Sequence, residues 1–133
     1  MNVAIKSVFS GIVTTFIFIF GGWDIALQSL IAIIVIDYIT GICKSYVNQK
    51  LNSNKGFKGI VKKLGMLCLV AVAVIIDRSM GDTGLVRNFI IYYLIANEGL
   101  SIIENLGEMD IIVPDFLKEK LEQLSNKNKE GNN

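Results

Sequence analysis

The sequence predicts an all-α, multi-pass transmembrane protein, with four spans and both termini in the cytoplasm. Three observations carry that expectation. Of 133 residues, 52% are hydrophobic and 19% charged, with a mean hydropathy of +0.52. Ordinary soluble domains hold ~45–50% apolar and ~25% charged residues. The charges also gather between long apolar runs, and Lys and Arg are shared unequally among the connections. One Pro and two Cys exclude collagen and disulfide scaffolds. Thirteen Lys+Arg against 12 Asp+Glu argue against a basic nucleic-acid binder, and the absence of His removes the commonest general base and metal ligand.

The first span is expected over about 5–22. No charge falls between Lys6 and Asp24, and a spanning helix needs roughly 17–25 apolar residues. Lys6 can lift its ammonium to the headgroups. No A-x-A-like site follows, which favours a span over a signal peptide. Gly21-Gly22 then reads as a tight turn, with Trp23 at the membrane surface. The second span, 25–43, holds one charge, Asp37, and ends at Lys44 with Tyr46 close behind. The third, 60–77, starts with Lys62 and Lys63, whose stems must be buried while their heads reach the surface. Asn52-Ser53-Asn54 before it reads as turn chemistry. The fourth, 86–106, is non-ionic from Phe89 to Ala96 and amphipathic thereafter, which makes it the weakest span.

A transmembrane domain over 1–110 is thus followed by a short amphipathic cytoplasmic helix, 111–124. Phe116, Leu117, Leu121 and Leu124 form the apolar face of that helix. The Asn/Lys/Gly-rich tail, 125–133, is expected to be disordered. With four spans, 11 Lys lie on the inner side and only Arg78 and Arg87 on the outer, as the positive-inside rule favours. A three-span alternative would move the N-terminus outside, or lay the first or last segment on the surface.

Ionisable groups inside spans cost roughly 2.5–3.5 kcal/mol each on insertion scales. Asp37 and Glu98 are the clearest cases. They either line an aqueous path or are paired within the fold, with Thr40, Asn97 or a Lys of a neighbouring helix. In the fourth segment Asn97, Ser101 and Asn105 recur at helical spacing, flanked by Glu98 and Glu104. Together they form one polar stripe. Lipid cannot satisfy such a stripe, and Asp37 and Thr40 are few partners for it. Convergence of several copies around water answers the need more fully. Ser7/Gly11/Thr15 and Gly41/Ser45 are small-residue pairs that allow close helix approach.

Other chemistries find no support. Cys43 and Cys68 read as packing residues in a reducing setting. Gly56-Phe57-Lys58-Gly59 lacks the Lys-Ser/Thr ending of a phosphate loop. Nothing marks a catalytic site, a metal or a cofactor. Lys44, Lys50, Lys55, Lys58, Lys62 and Lys63, with no acid among them, form a topology signal that also contacts anionic lipid. With only Tyr46 and Phe57 to stack, the loop does not suit nucleic acid.

One series of motifs resembles a known family. It comprises Gly21-Gly22-Trp23-Asp24, Asp37-Tyr38-Ile39-Thr40-Gly41, Gly56-Phe57-Lys58-Gly59 with Lys62-Lys63, Asn97-Glu98-Gly99-Leu100-Ser101 with Glu104-Asn105, and Val113-Pro114. In order and spacing it is similar to the phage-lysis and toxin-secretion holins of Gram-positive bacteria and their phages, clostridial members included. Members often carry Gly just before the Val-Pro element, where Asp110-Ile111-Ile112 stands here. The resemblance implies a non-enzymatic protein of the bacterial cytoplasmic membrane. Such a protein assembles with itself into lesions through which endolysin, or a large toxin, passes as cargo. The family's acidic, amide and hydroxyl positions map onto Asp37, Thr40, Asn97, Glu98, Ser101, Glu104 and Asn105. Alternatives are a small oligomeric ion channel, and an antiholin or membrane scaffold that regulates a partner.

Overall fold

The helix boundaries follow from local chemistry. A computed structural model describes residues 2–130, with side chains to residue 126. Five helices run in order: α1 (Val3–Phe20), α2 (Ile25–Val47), α3 (Ser53–Ser79), α4 (Leu85–Gly107) and α5 (Asp115–Glu130). Gly21 ends α1 at φ 77° and Gly22 follows at φ 136°, backbone that L side chains rarely adopt. Asp24 then caps α2, its carboxylate accepting from the Leu27 amide at 3.0 Å. Asn52 caps α3 by accepting from the Asn54 amide at 2.9 Å. The turn-like Asn52-Ser53-Asn54 is therefore a helix start, and α3 begins well before residue 60. Gly84 offers no capping side chain to α4. Asp77, at the end of α3, supplies it instead, accepting from the Val86 and Arg87 amides at 3.0 and 2.8 Å. The turn after α4 closes with Asp110 at φ 60° and the Ile111 amide bonded to the Leu106 carbonyl at 3.0 Å. Asp is among the few non-glycine residues that tolerate this left-handed backbone, so the position is one that Gly would also suit.

Helix α5 continues to Glu130, past the expected end at Leu124. Its Lys, Glu and Asn residues contain no breaker before Gly131. The rest of the expected disordered tail, 131–133, lies outside the described residues.

At ~1.5 Å per residue, α1 is about 27 Å long, α2 and α4 about 35 Å and α3 about 40 Å. By length and composition α1, α2 and α3 can each cross a membrane. The polar second half of α4 keeps that helix out of the set. The core joins Leu27, Leu30 and Ile34 of α2 to Val70 of α3 and to Ile91 and Leu94 of α4. Helix α4 lies at the centre and packs on α2, α3 and α5. Helix α1 buries no residue completely; Phe16 and Phe20 lean on the core while Ser7, Gly11 and Thr15 stay exposed. Much of the outer surface is apolar, Phe9, Ile12, Val72 and Ile75 included. In water this would be a liability, whereas in lipid it is the expected exterior. Helix α5 folds back along α4, with Leu121 seated against Gly99. A Cβ on Gly99 would meet the Leu121 side chain at 2.8 Å.

Candidate functional site

Three apolar helices bring charge to one level. Asp37 lies about 18 Å along α2 from Ile25, Glu98 about 20 Å along α4 from Leu85, and Lys63 about 24 Å back along α3 from Ser79. The Lys63 ammonium donates to Asp37 Oδ2 and to Glu98 Oε2. The other Asp37 oxygen accepts from Asn105 Nδ2 at 3.1 Å. Asn105 Nδ2 also donates to Thr40 Oγ1 at 3.1 Å, and that hydroxyl donates to the Asp37 carbonyl at 3.0 Å. Asp37, Glu98 and Asn105 are 7%, 4% and 6% exposed. Buried charge is tolerable only with such partners. Gly41 lies beside the contact, where a Cβ would sit 3.8 Å from Asn105 Nδ2, an ordinary van der Waals distance.

The polar stripe of α4 is therefore divided. Glu98 and Asn105 turn into the fold, Ser101 borders a cavity beside them, Asn97 is half-buried and Glu104 is exposed. Of the six basic-loop residues, Lys50, Lys55, Lys58 and Lys62 are exposed, and Lys44 pairs with Glu108 at 3.6 Å. Lys63 differs from the rest. Its sequence position suggests a head raised to the surface, but its head turns inward as counter-ion to two acids. The available signal was the unmet demand of Asp37 and Glu98 for a cation, which a lysine of a neighbouring helix could supply without the sequence saying which one.

A second cluster, at the Trp23 end, was not evident as a unit from sequence. Arg87, 6% exposed, donates to both Asp24 oxygens at 2.8 and 3.0 Å and to the Phe20 carbonyl at 2.6 Å. Arg78 donates to the Phe18 carbonyl and lies 4.1 Å from the Phe18 ring centre. Both cations meet the free carbonyls at the negative end of α1. The Arg87 hydrogen bonds hold the Asp24 carboxyl below its ordinary range, aided by the Leu27 amide and opposed by partial burial. This clasp fixes the α1–α2 turn onto α4 and leaves the body of α1 lightly attached.

Among the described residues no group of three or more His, Cys, Asp or Glu comes together as a metal would need. Cys43 and Cys68 are free and exposed. Carboxylates already committed to a lysine are poor proton carriers for a substrate, and the arrangement suits helix association better than bond chemistry.

Comparison with known proteins agrees with this architecture. The bacteriophage holin family model matches residues 14–126. An uncharacterized protein of Clostridium perfringens strain 13 is 43% identical over 117 residues, covering 86% of each chain. An uncharacterized 14.9 kDa protein from the nagH 3′ region of Clostridium perfringens is 44% identical over 115 residues, covering 86% of this chain and 87% of its own. An uncharacterized protein of Listeria monocytogenes is 40% identical over 118 residues, covering 89% and 84%. No solved structure matches. A chain of apolar helices whose length falls largely within that model belongs to the bacteriophage holin family.

Proposed function

We propose that the protein is a holin of the cytoplasmic membrane, with four spans and both termini inside. Copies associate there and open lesions that release an endolysin or a large toxin. The observation that carries the reading is the Asp37–Lys63–Glu98 network, with Asn105 and Thr40, set among apolar helices. In the single chain these groups satisfy one another, so the helices can reside in lipid without leaking. As copies crowd together, the same groups re-pair between chains and around water. Glu98, Ser101 and Asn105 then border the hole, and Asp37 braces the adjoining helix. Docked α5 supports a hydrated side. Lys118, Glu119, Lys120 and Glu122 are exposed along it, and lipid cannot solvate them. Helix α5 stays on α4 where that side meets water and leaves it where that side meets lipid.

The test is lysis timing in bacteria induced to express the chain together with a cytoplasmic cell-wall hydrolase. Glu98→Leu combined with Ser101→Leu is expected to preserve membrane insertion and to delay or abolish lysis. Unchanged timing would remove the stripe from the mechanism. Leakage of ions without release of the hydrolase would replace the holin reading with an ion channel.

A further inference from the structure

A cavity of about 310 Å³ opens between the last turns of α2 and the first turns of α3. Its wall is part basic and polar, part apolar. Lys44, Lys55 and Lys62 stand with Ser45 and Asn52, and Ile42 and Met66 complete an apolar side. Tyr38 packs across to α3, its ring and hydroxyl 3.4–3.5 Å from where side chains on Gly56 and Gly59 would begin. Among the described residues no carboxylate lies within 4.0 Å of the Lys55 or Lys62 ammonium, so both charges are free. Lys44 shares only a partly exposed acid, Glu108, at 3.6 Å, a weak pair. Lys63 also lines the cavity, but its charge is spent on Asp37 and Glu98.

An anion with an apolar continuation fits such a wall. The volume lies at the low end of the roughly 300–1,000 Å³ of ligand sites, enough for a headgroup and not for whole acyl chains. The cavity sits at the lysine-rich end of two helices able to cross the membrane. Basic pockets between spanning helices at that level bind lipid phosphate. We infer that this cavity is a specific site for the headgroup of an anionic phospholipid of the inner leaflet. Its phosphate is held by Lys55 and Lys62, and Lys44, Asn52 and Ser45 surround the glycerol. The site rests on membrane placement and not on lesion formation. Because Asp37, Lys63 and Asn105 line the same cavity, bound phosphate places a negative charge beside the network.

The test uses the full chain in neutral detergent, titrated with phosphatidylglycerol or phosphatidylcholine, with bound lipid counted by native mass spectrometry. Phosphatidylglycerol should be retained in preference to phosphatidylcholine. The double variant K55Q/K62Q should lose about tenfold or more of that affinity, since both charges that hold the phosphate are removed. The double variant K50Q/K58Q removes the same charge from exposed positions outside the cavity and should lose only the smaller, diffuse share of that affinity. Equal losses in the two doubles would reduce the site to diffuse attraction and overturn the inference. Equal binding of the two lipids would overturn it as well. Displacement by soluble glycerol 3-phosphate at lipid-like concentrations would assign the cavity to a free phosphate and reject the membrane source. None of these outcomes bears on lysis, so the holin reading stands or falls separately.

Discussion

Lys63 faces two carboxylates at once, so one ammonium serves both acids, and the Asn105 amide donates to Asp37 as well. Lys63→Met would leave Asp37 and Glu98 buried without a counter-ion. Removing one partner of a buried pair costs about 3–5 kcal/mol, and reversible unfolding in mixed micelles should show a loss of that order. Lys62→Met, one position away and exposed, should change stability by less than about 0.5 kcal/mol. Equal effects from both would mean that Lys63 is no counter-ion. Asp24 gives a pH signature at the other end. Its carboxyl is held below the ordinary carboxylate pKa of about 3.9 by the Arg87 hydrogen bonds. The Asp24–Arg87 clasp is thus fully present above that pH and is lost as pH falls through the lower folded value. Trp23 fluorescence should report the loosening on acidification, and Asp24→Asn should abolish the transition. Asp37 and Glu98 were legible in the sequence because hydrocarbon gives a carboxylate nothing. The role of Lys63 was not legible. A lysine one turn inside an apolar run has the same local pattern whether its head rises to the surface or turns to a distant acid.

Helices α1 to α4 were legible as elements because their apolar runs are bounded by Gly pairs, Asn and charged residues. The extension of α3 back to Ser53 is not legible, since Asn52 can cap a helix or make a turn and only the backbone that follows decides. Similarly, α5 was recognisable from its apolar face, but its seat was not, because Gly99 shows no preference until Leu121 lies on it. This contact yields a prediction for the element. Gly99→Val puts methyl groups where the Leu121 side chain rests and should lift α5 from α4. An engineered cysteine at Lys118 already faces outward and would not discriminate, so the informative site is Ser125→Cys, half-buried in the docked helix and one turn from Leu121, which stays in place. Its modification rate in detergent should rise when Gly99→Val is added. An unchanged rate would show that Gly99 does not seat α5. Helix α1, held by Arg78 and Arg87 at its carbonyl end, is the least buried of the three helices able to cross a membrane.

For the whole molecule, much of the exposed surface is apolar, while Asp37, Lys63, Glu98 and Asn105 of α2, α3 and α4 are partnered inside. Sequence reasoning held that one chain offers these polar groups too few partners. Adding Lys63 to Asp37 and Thr40 gives Glu98 and Asn105 partners within the chain. In the proposed mechanism, self-association is the exchange of one satisfied arrangement for another, which allows a quiet membrane-resident state before any breach. The two arrangements differ most plainly at Ser101, half-buried beside the network in the single chain and proposed to face water in the lesion. The most direct measurement is labelling of Ser101→Cys by a membrane-impermeant thiol reagent added outside living cells. Cys43 and Cys68 are replaced by alanine, and the reaction is sampled through the onset of lysis. The account predicts a protected cysteine while the cells remain intact and rapid modification from the moment of breach. A cysteine that stays protected while cytoplasmic enzyme escapes would contradict it, as would one that labels equally at all times.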